Sequence, residues 1–298
     1  MSETRDIDIA GWVGRAEPDP VLFLERQAAE IILNAIALAP ELQESMLLKG
    51  GTLMGMAFDS PRQTADMDFS VTFAAADDVA GRLRNSFDRT LPRAAARLGY
   101  ADLVLKVQSV KYRPRKDGFA AMQAPALQMR IGYARRGSPQ EAHLQRGQCA
   151  DAVQVDISFN EPVFSAQVLR LVPDGTTVMA YSLIDMIAEK MRALLQQEVR
   201  NGGRRDRGRR QDVYDIALLV EALPEDASLR AGILEALRRK CRARSIEPTP
   251  ASMSAQEVKE RARREWASLA LEIGELPDFD DRFRIVEAFY RSLPWKES

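Results

Sequence analysis

The chain has 298 residues, 46% hydrophobic and 29% charged, enough for one large or two smaller domains with proper cores. Forty-two lysines and arginines against 43 acids leave a net charge of −1, so no global field draws nucleic acid, and any such binding must come from local clusters. Cys149 and Cys241 match no zinc spacing and read as reduced thiols, while the single histidine, His143, lies in the polar stretch SPQEAHLQRG and reads as a surface residue; chemistry here falls to carboxylates, lysine, arginine and a metal.

The opening MSETRDIDIAGW is polar and acidic, unlike a signal peptide, and no apolar run approaches the roughly 20 residues that span a bilayer, so a cytoplasmic protein without membrane contact is expected. Residues Pro20 to Leu38 carry apolar positions at helical spacing, and a second short helix is expected from about Glu41 to Leu48, leading into Gly50-Gly51-Thr52. Asp66 to Phe73 alternates as a strand, with Met67, Phe69, Val71 and Phe73 on one face and Asp66, Asp68, Ser70 and Thr72 on the other. Asp77 to Leu98 reads as an amphipathic helix with a break or kink at Pro92. Two β-type runs follow, Asp102 to Tyr112 and Ala126 to Tyr133, with Gly118 between them, then Ala152 to Phe159 with Asp156 on its polar face. From Ser182 the chain reads as helical: Ser182 is an N-cap with Asp185 as capping-box acid, and the helix Leu183 to Gln197 carries Lys190. The boundary falls around Pro173 to Ala180, giving an α/β domain over 1–178 and a helical domain over 179–298.

Asp66 and Asp68 point to one strand face, where two carboxylates repel and a divalent cation relieves the repulsion. The glycine turn before them lets backbone N–H groups approach phosphate, so the combination describes a site for a metal-bound nucleoside triphosphate. Asp156 either completes a metal triad or is a solvated strand-face acid. Lys49 either reaches a phosphate or caps its helix; Arg62 and Thr64 either contact a triphosphate or sit solvated in a loop. Lys190 is either an exposed lysine paired with Asp185 or Glu189, or a charge aimed at the triphosphate. The stretch RNGGRRDRGRRQD holds Arg204, Arg205, Arg207, Arg209 and Arg210, forked charges on an adaptable main chain suited to RNA or polyphosphate, or else a flexible solvated loop. Asp212 and Asp215 follow at helical spacing and either orient those arginines or start the next helix.

In order, KGGTLMGMAF, PRQTADMDF, VDISFNEP, SLIDMIAEKMRAL and RRQDVYDIA resemble the motifs of the AbiEii/AbiGii toxins, nucleotidyltransferases of type IV toxin–antitoxin and phage-defence systems within the DNA polymerase β-like superfamily. The resemblance covers most of the chain and implies an α+β fold: a polymerase β-like core, a small mixed sheet flanked by helices, then a helical C-terminal domain that completes the active site and acceptor surface. It implies transfer of a nucleoside monophosphate from an NTP to RNA, in characterised relatives the 3′ end of a tRNA, which stops translation. Carried onto this chain, Lys49, Gly50, Gly51, Thr52, Arg62 and Thr64 bind nucleotide; Asp66, Asp68 and Asp156 bind Mg²⁺ or Mn²⁺; Lys190 neutralises the triphosphate and Asp212 completes the polar cluster. A cognate antitoxin is an implied partner. The alternatives are transfer to protein, self or target, and a non-catalytic NTP- or antitoxin-binding module.

Overall fold

The computed structural model describes residues 4–62, 64–196 and 209–295. Contacts divide them into two compact units, the first drawn from 1–57, 64–161 and 166–180 and the second from 58–63, 162–165 and 181–298.

In chain order the first unit contains β1 (Thr4–Asp8), α1 (Ile9–Gly14), α2 (Pro20–Ala37), α3 (Pro40–Gln43), β2 (Met46–Lys49), α4 (Gly50–Ala57), β3 (Asp66–Val71), α5 (Val79–Arg97), β4 (Leu103–Arg113), β5 (Ala126–Arg135), α6 (Pro139–Gln145), β6 (Ala152–Ser158), β7 (Ala166–Val172) and β8 (Thr176–Tyr181). The strands form one mixed sheet in the order β1-β7-β8-β2-β3-β6-β5-β4. Pairs β1–β7, β2–β8 and β3–β6 are parallel; β2–β3, β6–β5 and β5–β4 are antiparallel. With eight strands the sheet is larger than expected, and β1, β2, β7 and β8 lie outside the expected set.

The α2 helix begins where Pro20 fits the first helical position and the Asp19 carboxylate accepts from the N–H groups of Val21 and Leu22. Its second half is buried, including Glu30, which accepts from the Tyr100 hydroxyl at 2.7 Å, and Asn34, which accepts from Thr176 at 2.9 Å. Burial raises the Glu30 pKa despite that hydrogen bond. Helix α5 runs unbroken across Pro92, so the expected break is absent. The apolar sides of β3 and β6 (Met67, Phe69, Val71, Val153, Val155, Ile157) are buried in the core.

One expectation holds only in its first half: of the helix expected from about Glu41 to Leu48, α3 covers Pro40–Gln43. Residues Met46–Leu48 belong to a strand, not a helix, and the Gly-Gly-Thr segment opens helix α4. A three-residue apolar run has no periodicity that separates the two states, and this one is buried between two neighbouring strands. Lys49 therefore has no helix to cap.

In the second unit the regular elements after β8 are helical: α7 (Leu183–Leu195), α8 (Arg210–Glu221), α9 (Ala227–Arg242), α10 (Gln256–Arg263), α11 (Ala270–Ile273) and α12 (Phe279–Arg291), with short 3₁₀ turns between. Among the described residues no helix is long and apolar enough to cross a membrane.

Candidate active site

The first unit places the strand acids by register. Asp68 of β3 pairs with Asp156 of β6, and Lys49 of β2 pairs with Asp68 on the other side. Paired positions share a sheet face, so Lys49, Asp68 and Asp156 form one row, which continues through Gln128 of β5 to Lys111 of β4. Asp66 lies two residues earlier on the same face, opposite Gln154. Asp66 is exposed, while Asp68 and Asp156 are half-buried.

Asp156, Gln128 and Lys49 of this row each have defined partners. Asp156 accepts from the amides of Gln128 and Gln154, one on each carboxylate oxygen, both at 3.3 Å. Gln128 is turned that way because its own oxygen takes the Arg113 guanidinium at 2.8 Å. Both oxygens of Asp156 thus act as acceptors. Lys49 is buried, its ammonium 2.8 Å from Glu161 and 3.4 Å from the Ser158 hydroxyl. Glu161 also accepts from Ser70, which is fully buried although it sits on the polar face. Glu161, Gln128 and Gln154 were not foreseen. The parity of Gln128 and Gln154 was readable, but their alignment with Asp156 depends on register, which parity leaves open.

Gly50 joins β2 to α4 with φ +71°, a left-handed conformation that L side chains rarely adopt. A Cβ there would fall 2.1 Å from an Asp68 carboxylate oxygen, so the acid lies directly against the bare glycine. Thr52 is buried in the first turn of α4, its hydroxyl donating to the Asp66 carbonyl at 2.9 Å and tying the helix to the start of β3. Thr64 is half-buried in the irregular segment before β3.

These donors fit a hard divalent cation: they are carboxylate oxygens from neighbouring strand positions, with no imidazole or thiolate among them. Among the described residues no group of three or more His, Cys, Asp or Glu could hold a metal ion by itself. Mg²⁺ characteristically takes one or two carboxylates and completes its shell with substrate phosphates and water.

The second unit has its own charged cluster. Lys190 of α7 is buried, its ammonium 2.6 Å from Asp215 and 3.6 Å from Asp212 of α8. Arg62 forks onto Asp215 through two 3.3 Å hydrogen bonds and reaches Glu272 at 3.2 Å. Burial works against charge on Lys190, but Asp215 and Asp212 outweigh it and hold its pKa above the ordinary lysine value. Burial likewise opposes charge on Asp215, yet Lys190 and Arg62 hold its pKa below the usual carboxylate range. Arg62 is raised in the same way, Asp215 and Glu272 overcoming burial.

Lys190 is therefore not an exposed lysine paired with Asp185 or Glu189. Those acids hold Lys240 of α9, at 2.9 and 3.4 Å, because they lie one turn apart on another stripe of α7. Asp185 does not close a capping box either. Ser182 caps the helix through Asp185 N–H, but the Asp185 carboxylate accepts from the N–H groups of Phe164 and Ser165, at 3.0 and 2.6 Å. Arg209 faces Asp212 at 3.6 Å, and Arg210 reaches Glu265 and Glu272 at 3.4 and 3.3 Å. Arg204, Arg205 and Arg207 lie outside the described residues. Glu272 was not foreseen; it lies too far along the chain for any local pattern to signal it.

A family model for the nucleotidyl transferase AbiEii toxin of type IV toxin–antitoxin systems matches residues 31–285. No curated protein matches the chain. Among solved structures, JHP933 from Helicobacter pylori is 14% identical with a TM-score of 0.45, over 92% of both chains. A second H. pylori structure, described as that of a nucleotidyltransferase, is 12% identical with a TM-score of 0.45, over 90% of this chain and 92% of that one.

Proposed function

This chain belongs to the AbiEii nucleotidyl transferase toxin family of type IV toxin–antitoxin systems, and we propose that it transfers a nucleoside monophosphate from an NTP to a hydroxyl of RNA, at a tRNA 3′ end. The bond formed joins the acceptor oxygen to the α-phosphorus; the bond broken releases pyrophosphate. The observation that carries this reading is the row Lys49–Asp68–Asp156, with Gly50 and the first turn of α4 beside it.

In this reading the N–H groups of Gly50, Gly51 and Thr52 at the start of α4 face the triphosphate, helped by the helix dipole. Lys49 brings buried positive charge to the same row. Asp66 and Asp68, with Asp156 beside Asp68 in the row, would offer one or two carboxylates at a time to Mg²⁺ or Mn²⁺, the rest of the shell coming from substrate phosphates and water; when bound, the ion would polarise the α-phosphate and neutralise charge building on the pyrophosphate. Gln128 and Gln154 keep the Asp156 carboxylate oriented. Each of its oxygens retains a second lone pair, so it can accept the proton of the attacking hydroxyl. Arrest of translation and neutralisation by a cognate antitoxin are parts of the same proposal, supported by membership of a type IV toxin–antitoxin family.

The test incubates purified protein with total RNA, Mg²⁺ and each α-labelled NTP in turn, beside Asp66→Ala. Asp66 is exposed at a strand end, so the variant is expected to fold. Label in a tRNA-sized band, absent with the variant, supports the proposal and identifies the nucleotide. Label on protein would replace the acceptor; no label with any NTP would overturn the enzymatic reading.

A further inference from the structure

The hairpin of β4 and β5 carries a charge cluster that the motifs do not include. Lys111, Arg113, Arg115 and Lys116 fall within KYRPRK, with no acid among them, in a chain whose net charge is −1. Arg130 on β5 adds a fifth cation. All five are exposed, and among the described residues none forms an ion pair. Arg113 is bonded to the neutral amide of Gln128, and Arg130 to the carbonyls of Cys149 and Ala150, so their charge is oriented but not cancelled. The described cations of the predicted arginine cluster, Arg209 and Arg210, are by contrast held by carboxylates.

Register places this charge. Lys111 pairs with Gln128, which pairs with Asp156, which pairs with Asp68. Lys111 thus lies on the sheet face of the acids, two strands from Asp156 and three from Asp68, about 10 and 14 Å at ordinary strand spacing. Arg113, two residues on, and Arg130, two residues from Gln128, share that face. The platform beneath is fixed from the other side. Tyr112 donates to the Asp77 carbonyl at 2.5 Å and packs edge-on against Phe119, whose ring meets Phe159.

We propose that this face of the β4–β5 hairpin holds the sugar-phosphate backbone of the RNA acceptor and leads its reactive end to the Asp68–Asp156 row. The proposal rests on the transfer reading above and adds the surface. RNA fits better than an acidic protein for two reasons. Lys111 and Arg113 stand two residues apart on β4, roughly 7 Å, and Arg130 lies on the same face of β5, so three exposed cations line one face at a spacing that suits successive phosphates. The row also continues without interruption to the acids where a nucleic-acid end would react.

The test is fluorescence anisotropy of a labelled single-stranded oligoribonucleotide against full-length protein across a salt series. Wild type is compared with Lys111→Gln/Arg130→Gln, both exposed on the face of the acids, and with Asp66→Ala. The double variant should bind on the order of tenfold more weakly at low salt, and its log K against log[salt] slope should shrink by about 1.4, two single-strand phosphate contacts. Asp66→Ala, which removes a negative charge from the path of the RNA end, should bind no more weakly than wild type. Wild-type affinity and slope in the double variant would overturn the proposal, as would equal binding of poly-glutamate of matched length or no RNA binding by wild type. NMP transfer is scored separately: binding through the hairpin without transfer sinks the catalytic reading alone, and transfer with an unaffected hairpin variant sinks the surface alone.

Discussion

Asp215 is a fully buried carboxylate whose charge is kept by two cations, Lys190 at 2.6 Å and the Arg62 fork at 3.3 Å. Removing one member of such a set strands the others in a medium that cannot solvate them. Asp215→Asn should therefore lower stability by about 3–5 kcal/mol in urea unfolding near neutral pH. The pH dependence follows from the shift directions. Asp215 is depressed, so its contribution is present above its unfolded value near 3.9 and is lost as pH falls through the lower folded value. Lys190 is raised, so its contribution is present below its unfolded value near 10.4 and is lost only as pH rises through the higher folded one. The gap between wild type and Asp215→Asn should stay flat between about pH 4 and 10 and close in acid below that window. A gap that already narrows at pH 6 would refute the assignment. The motif RRQDVYD made Asp212 and Asp215 visible as a helical pair. It could not reveal Arg62 or Glu272 as partners, because pairing across such sequence separation is written in tertiary structure, not in spacing.

At the scale of elements, strand parity was legible and register was not. The alternation in DMDFSV and AVQVDIS put Asp66, Asp68 and Asp156 on polar faces, yet only the pairing of β3 with β6 sets Asp68 beside Asp156. Misreading β2 as a helix had a local cost: it hid that Lys49 ends a central strand, and Gly50 opens α4, beside the acids. The junction makes a sharp prediction at Gly50. Alanine there must hold a left-handed φ of +71°, costing about 1–2 kcal/mol. Its Cβ must also displace the Asp68 carboxylate, whose oxygen lies 2.1 Å from where that atom would fall. Gly50→Ala should lose roughly that much stability in urea, while Mg²⁺–NTP binding, followed by calorimetry, should fall well beyond what the lost stability explains. Wild-type nucleotide affinity in a folded Gly50→Ala protein would show that the β2–α4 junction is not part of the nucleotide site.

The whole chain does not divide at a single cut. The second unit takes residues 58–63 and 162–165 from within the sequence span of the first. Those short segments supply partners that its helices cannot replace. Arg62 brings the second cation to Asp215. Phe164 and Ser165 give their N–H groups to buried Asp185, and the Pro162 carbonyl takes the Lys240 ammonium at 2.8 Å. A fragment beginning at residue 179, where composition turns helical, leaves all of these behind. Asp185 would lose two backbone donors, Lys240 an acceptor and Asp215 its arginine, each buried and each costing about 1–3 kcal/mol or more if left unsatisfied. Their sum rivals the 5–15 kcal/mol by which a typical domain is stable. Fragment 179–298 should therefore show helical circular dichroism without a cooperative urea transition, whereas the full chain unfolds cooperatively. Adding a peptide spanning 158–168 should restore part of the fragment's stability, because it returns the Pro162, Phe164 and Ser165 groups. A fragment as stable and cooperative as the intact chain would mean that the two borrowed segments merely lie against the helices.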